Sequence, residues 1–91
     1  MNNIQELAKA LNSLNTDQKI YQFLTEIMTP SELIILSKRW RILKMLNEGF
    51  TQRDIAKELN VSLCKVTRGA KILKDKNAVT TKYLKGDKIY E

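Results

Sequence analysis

QRDIAKELNVSLCKVTRGAKILK, residues 52–74, carries two short apolar stripes separated by three residues. Ile55, Ala56 and Leu59 fall on one face of a first helix, and Leu63, Val66, Ala70 and Leu73 repeat the three- and four-residue spacing on a second. Between them, Asn60 tolerates the left-handed backbone of a tight inter-helix turn, and Ser62 can cap the second helix by accepting a backbone N–H. Ala56 is small where two steeply crossing helices come closest. Residue type and spacing together read as a helix-turn-helix, the element that places its second helix in a DNA major groove.

Outward from that stretch, charge supports the same reading. The chain has 91 residues and a formal net charge of +6, unevenly spread: residues 1–37 sum to −2 and residues 38–91 to +8. Lys65, Arg68, Lys71, Lys74 and Lys76 stand against a single acid, Asp75, within twelve residues. A polyanion suits such a surface, and a merely solvated helix face is the bland alternative. The length predicts one domain, residues 1–91, with a small core that a partner subunit would reinforce.

Several classes are set aside. There is no His and Cys64 is the only cysteine, so neither a zinc site nor an internal disulfide is expected. No apolar run of about 18 residues and no cleavable leader appears, so no membrane partner is expected and a cytoplasmic location is. With no glycine-rich phosphate loop and no credible nucleophile–base pair, the chain is not expected to be an enzyme. A helical protein-interaction module would explain the apolar stripes but not the basic second helix.

The remaining segments also read as helical. Ile4, Leu7, Ala8, Leu11 and Leu14 form one stripe, Asn15-Thr16-Asp17 breaks it, and Ile20, Phe23, Leu24, Ile27 and Met28 form another. Thr29-Pro30-Ser31-Glu32 is a helix start: a Thr cap, Pro at the first helical position, and Glu placed to close a capping box. That helix should run to about Glu48, where Gly49 stops it; Thr51 caps the next, and a last short helix is expected near residues 78–85 with fraying from Gly86. The result is an all-α chain of about six helices. The third is overloaded: Leu33, Leu36, Trp40, Leu43 and Leu46 make one stripe while Ile34, Ile35, Ile42 and Met45 spread over other faces. A helix apolar all round is buried on more than one side, and a second copy is the simplest cover.

The runs TPSELIILSKRWRILKMLNEG, TQRDIAKELNVS and KVTRGAKILK resemble the Trp repressor superfamily of bacterial transcription regulators. The likeness covers about residues 22–76, most specifically Thr29-Pro30, Arg39-x-Arg41, Gly49, Thr51-Gln52-Arg53 and Thr67-Arg68-Gly69. It implies an all-helical, intertwined homodimer with two helix-turn-helix heads on a palindromic double-stranded operator. Leu63, Cys64, Lys65 and Thr67 occupy the front of the second helix, where side chains reach base edges while flanking basic groups hold phosphates. By similarity, Leu63, Cys64 and Thr67 match groove-facing positions, and Arg53 and Lys74 match DNA contacts. Arg53 suits a guanine edge or a phosphate, Lys71 and Lys76 suit phosphates, and Leu63 suits packing as well as DNA contact.

The resemblance also implies a small-molecule effector, with L-tryptophan as corepressor. Arg39 and Arg68 match two arginines that flank the indole in tryptophan-sensing members, and Thr29 and Gly69 match other positions of that pocket. Ile72 and Lys65 depart from it, standing where those members carry small hydroxyl residues, and the Gly49-Phe50-Thr51 junction is one residue shorter. A ligand-independent or differently gated regulator is the other reading, in which Arg39 and Arg41 are salt-bridge or phosphate residues.

Overall fold

The computed structural model describes residues 2–86; residues 87–91, most of the stretch where fraying is expected, lie outside it. The described residues form six helices and no strand: α1 (Asn3–Ser13), α2 (Asp17–Ile27), α3 (Pro30–Asn47), α4 (Gln52–Leu59), α5 (Leu63–Lys74) and α6 (Val79–Leu84). They fall into two compact units that divide after Ile34.

In the first unit, local hydrogen bonds set each helix start. Asn2 Oδ1 accepts the Gln5 N–H at 2.8 Å while Gln5 Oε1 accepts the Asn2 N–H at 3.0 Å, a reciprocal cap for α1. Asn15 turns the chain with φ +64°, and the Thr16 hydroxyl then caps α2 by accepting the Lys19 N–H. The capping box expected at Thr29 is formed: its hydroxyl accepts the Glu32 N–H at 3.2 Å, and the Glu32 carboxylate accepts the Thr29 N–H at 2.8 Å. Neither α1 nor α2 contains a fully buried residue; Leu11, Ile20, Phe23 and Leu24 of their apolar stripes are partly covered, while Ile4, Leu7 and Ile27 are exposed.

The second unit holds the core: Ile42 and Met45 of α3, Ile55 of α4 and Val66 of α5, flanked by Leu46, Ala56, Leu59 and Val61. The stripe Leu33–Leu36–Trp40–Leu43–Leu46 is only partly covered within the chain: Leu46 packs against the core, and Leu33 and Leu43 are half-buried. Leu36 and Trp40 are exposed, and Ile42 and Met45, assigned from sequence to other faces, are the buried pair. Apolar residues all round a helix give no preferred direction, so the pairing with α4 and α5 decides which ones go in.

Two left-handed residues end the helices that frame the motif. Gly49 has φ +96°, with the Gly49 N–H on Leu46 O and the Phe50 N–H on Met45 O, the paired bonds of a Schellman turn. Asn60 repeats the geometry with φ 53° and ψ 53°, its N–H on Lys57 O and the Val61 N–H on Ala56 O. Thr51 and Ser62 then cap α4 and α5 through their hydroxyls, on the Asp54 and Lys65 N–H groups. The helix-turn-helix expected at residues 52–74 is formed.

The last helix is tied back by three contacts. The buried Thr81 hydroxyl donates to Ile72 O at 3.0 Å, Asn47 Nδ2 donates to Leu84 O at 3.1 Å, and Tyr83 meets Trp40 with ring centroids 6.0 Å apart and planes tilted by 53°.

Candidate nucleic-acid interface and effector cavity

Helical periodicity sorts the side chains of α5 onto three faces. Val66, Ala70 and Leu73 turn towards the core and are buried or half-buried. Cys64, Thr67, Lys71 and Lys74 share the opposite, exposed face. Lys65, Arg68 and Ile72 share a third, next to Gly69, and these four line a cavity.

The exposed face brings together the groove-facing and basic positions expected from sequence. Leu63, at the first turn, is 47 % exposed, half covered and half open beside Cys64. Arg53 on α4 and Lys76 beyond α5 are exposed as well. Thr67 has a structural partner that the sequence reading does not anticipate. Its hydroxyl lies 2.8 Å from Gln52 Oε1 and 3.0 Å from Leu63 O, a bond that ties α5 to the first residue of α4.

The cavity measures about 260 Å³ and lies between α3 and α5. Arg39, Ile42 and Leu43 line it from α3, and Lys65, Arg68, Gly69 and Ile72 from α5. Four of the five residues assigned to an effector thus surround one space, and Thr29 is not among its lining residues. Gly69 is buried because α3 comes close: a Cβ there would lie 2.9 Å from Ile42 Cγ2 and 3.4 Å from Leu46 Cδ1. Lys65, which the sequence reading places both at the DNA-facing front of the helix and at a pocket position, belongs to this wall. The signal that finds it is in the sequence, since Lys65, Arg68, Gly69 and Ile72 recur at three and four residues, as do Arg39, Ile42 and Leu43. The Arg39-x-Arg41 pair is split, because Arg41 lines a different, wider depression with Phe50, Asp54 and Glu58.

A two-helix head with a basic, exposed second helix and an Arg-flanked cavity behind it coincides with what the comparisons find. The model of the family described as Trp repressor protein matches residues 2–87. The chain belongs to the Trp repressor family. Membership places it in a regulatory, non-enzymatic family of DNA-binding transcription regulators. Among proteins it resembles, a Trp operon repressor homologue of Xylella fastidiosa (strain M23) is 39 % identical over 72 residues, 78 % of each chain. One from Vibrio campbellii is 35 % identical over 74 residues, 80 % of this chain and 74 % of the relative. Another, from Vibrio parahaemolyticus, is 34 % identical over 82 residues, 89 % and 80 % of the two. No solved structure matches the chain significantly. Among the described residues no helix is long and apolar enough to cross a membrane, and no group of His, Cys, Asp or Glu is placed to hold a metal ion.

Proposed function

We propose that the protein is a transcriptional repressor that binds a palindromic operator as a homodimer, each subunit laying α5 in a major groove. The observation that carries this reading is the α4–α5 head, whose second helix turns Cys64, Thr67, Lys71 and Lys74 outward on one exposed face. Cys64 and Thr67, with Leu63 beside them, meet base edges; Arg53, Lys71, Lys74 and Lys76 grip the duplex and its phosphates. A second subunit is supported by the apolar side chains left exposed on α3, among them Ile35, Leu36 and Trp40.

Mobility shifts over a salt series test the reading. Affinity for a selected duplex should fall steeply with salt as neutralised phosphates release counterions. Thr67→Ala should relax sequence preference more than Lys76→Ala, which should weaken all duplexes alike. If no duplex from a randomised library is retained selectively at moderate salt, the repressor reading is wrong.

Two gating schemes fit the cavity. Retention of Arg39, Arg68 and Gly69 in its wall supports L-tryptophan as corepressor. The presence of Ile72 and Lys65 in the same wall supports a different gate. Calorimetric titration with L-tryptophan, repeated on Arg39→Ala, separates them: absence of heat at millimolar ligand rejects the corepressor scheme.

A further inference from the structure

The α3–α5 cavity has an unusual charge balance. Three of its lining side chains are cations, Arg39, Lys65 and Arg68, and the others are Ile42, Leu43, Ile72 and Gly69. No side chain in the lining can accept a hydrogen bond. Among the described residues none of the three cations has a carboxylate partner. Three neighbouring cations repel one another, and an anion placed among them is favoured by all three. An ammonium group meets the opposite conditions: it finds no acceptor side chain and faces a third positive charge.

We propose that this cavity takes a dianion carrying a compact apolar body, such as an aryl phosphate or an aryl-substituted dicarboxylate, and discriminates against zwitterionic amino acids. The inference rests on reading the cavity as the effector site. Arg39 and Arg68 offer planar forks that match carboxylate or phosphate oxygens, and Lys65 supplies the point charge that favours the second negative charge. Ile42, Leu43 and Ile72 form the apolar wall. That wall separates a free ligand from a DNA backbone phosphate, which carries one charge and no apolar body to bury. A volume of about 260 Å³ lies just below the about 300 Å³ at which pockets for drug-sized ligands begin, so the ligand is small.

Calorimetric titration of the whole protein at about pH 8, where an aryl phosphate is doubly charged, tests the proposal with five probes. Phenyl phosphate and phenylsuccinate should each bind at least about tenfold more tightly than 3-phenylpropionate or L-tryptophan, the size expected for one added charge-assisted hydrogen bond. Inorganic phosphate should bind more weakly than phenyl phosphate. Lys65→Gln, a change at an exposed side chain, should cost the dianions about tenfold and 3-phenylpropionate clearly less, with circular dichroism showing the variant folded. Tighter binding of L-tryptophan than of both dianions overturns the proposal, as does an equal loss for monoanion and dianion in Lys65→Gln. Inorganic phosphate binding as tightly as phenyl phosphate makes the site a bare phosphate cradle and overturns it too. Mobility shifts on the same preparation keep the two readings apart: lost DNA binding with the dianion preference intact sinks only the repressor reading, and the converse sinks only this one.

Discussion

Gly69 is the residue on which both the core and the cavity turn. Its missing side chain lets α5 approach α3 until a Cβ would stand 2.9 Å from Ile42 Cγ2, and Ile42 is itself 2 % exposed with little room to move. Two effects oppose each other in Gly69→Ala. Helix propensity favours alanine by about 1 kcal/mol, while overpacking a filled interior costs about 1–3 kcal/mol. The second should win, giving a net loss of about 1 kcal/mol in urea denaturation; Gly69→Val, bulkier and β-branched, should lose more. A stabilised Gly69→Ala would show that the helices do not meet there. Thr67 allows a second expectation at this scale. Its hydroxyl bond to Gln52 joins the two helices of the head, so Thr67→Val and Gln52→Ala should each cost about 1 kcal/mol. The double variant should cost less than the sum of the two, because both remove the same bond. Strict additivity in a double-mutant cycle would deny the bond. This coupling also bears on DNA reading, since a loss of operator preference in Thr67→Ala is attributable to base contact only where Gln52→Ala, which disturbs the same clamp, leaves that preference in place.

At the scale of elements, what orders the helix-turn-helix is a run of local rules, and that is why it was legible. Thr51, Asn60 and Ser62 each act on backbone groups within a few residues, so their chemistry could be read without knowing what packs where. Asn60 makes a sharp test, because its φ of 53° is a conformation that β-branched side chains strongly resist. Asn60→Gly should leave stability within about 0.5 kcal/mol, whereas Asn60→Val should lower it by about 1–2 kcal/mol. Thermal unfolding of the two variants checks this, and equal midpoints would mean that the turn is not left-handed. The third helix was less legible for the converse reason. Its start at Thr29 obeyed a local rule, but a helix apolar on every face leaves its inward side to tertiary packing, and Ile42 and Met45 rather than Leu36 and Trp40 became the buried set. The cavity was legible in part. Arg39, Arg68, Gly69 and Ile72 are legible through family resemblance, whereas Lys65 carries two readings in the sequence, one at the DNA-facing front of the second helix and one at a pocket position. The angular position of Lys65 around α5, beside Arg68 and Ile72, puts it in the cavity wall.

For the whole molecule, the question is what covers the apolar surface that a single chain leaves open. Helices α1 and α2 contain no buried residue, and Ile35, Leu36 and Trp40 on α3 are 40–47 % exposed. Transfer of one such side chain out of water is worth about 1.5–3 kcal/mol when complete, so several half-exposed ones together represent a driving force comparable with the whole stability of a small domain, about 5–15 kcal/mol. A chain with a formal charge of +6 resists indiscriminate clustering, which favours one closed, two-fold pairing over open aggregation. If folding and pairing are coupled in this way, stability must depend on protein concentration, because the dimer is favoured by mass action. Thermal unfolding should therefore shift upward by roughly 2–5 °C for each tenfold rise in concentration, and sedimentation equilibrium should return twice the chain mass. Ile35→Glu places a charge among these exposed apolar groups without touching the Ile42–Met45–Ile55–Val66 core. It should lower the midpoint and abolish most of its concentration dependence, while Lys82→Gln, a charge change of similar size on α6, should do neither. A midpoint independent of concentration in the unaltered protein, together with a monomer mass, would mean that the exposed face of α3 is covered by something other than a second copy, and the palindromic operator would then lose its structural basis.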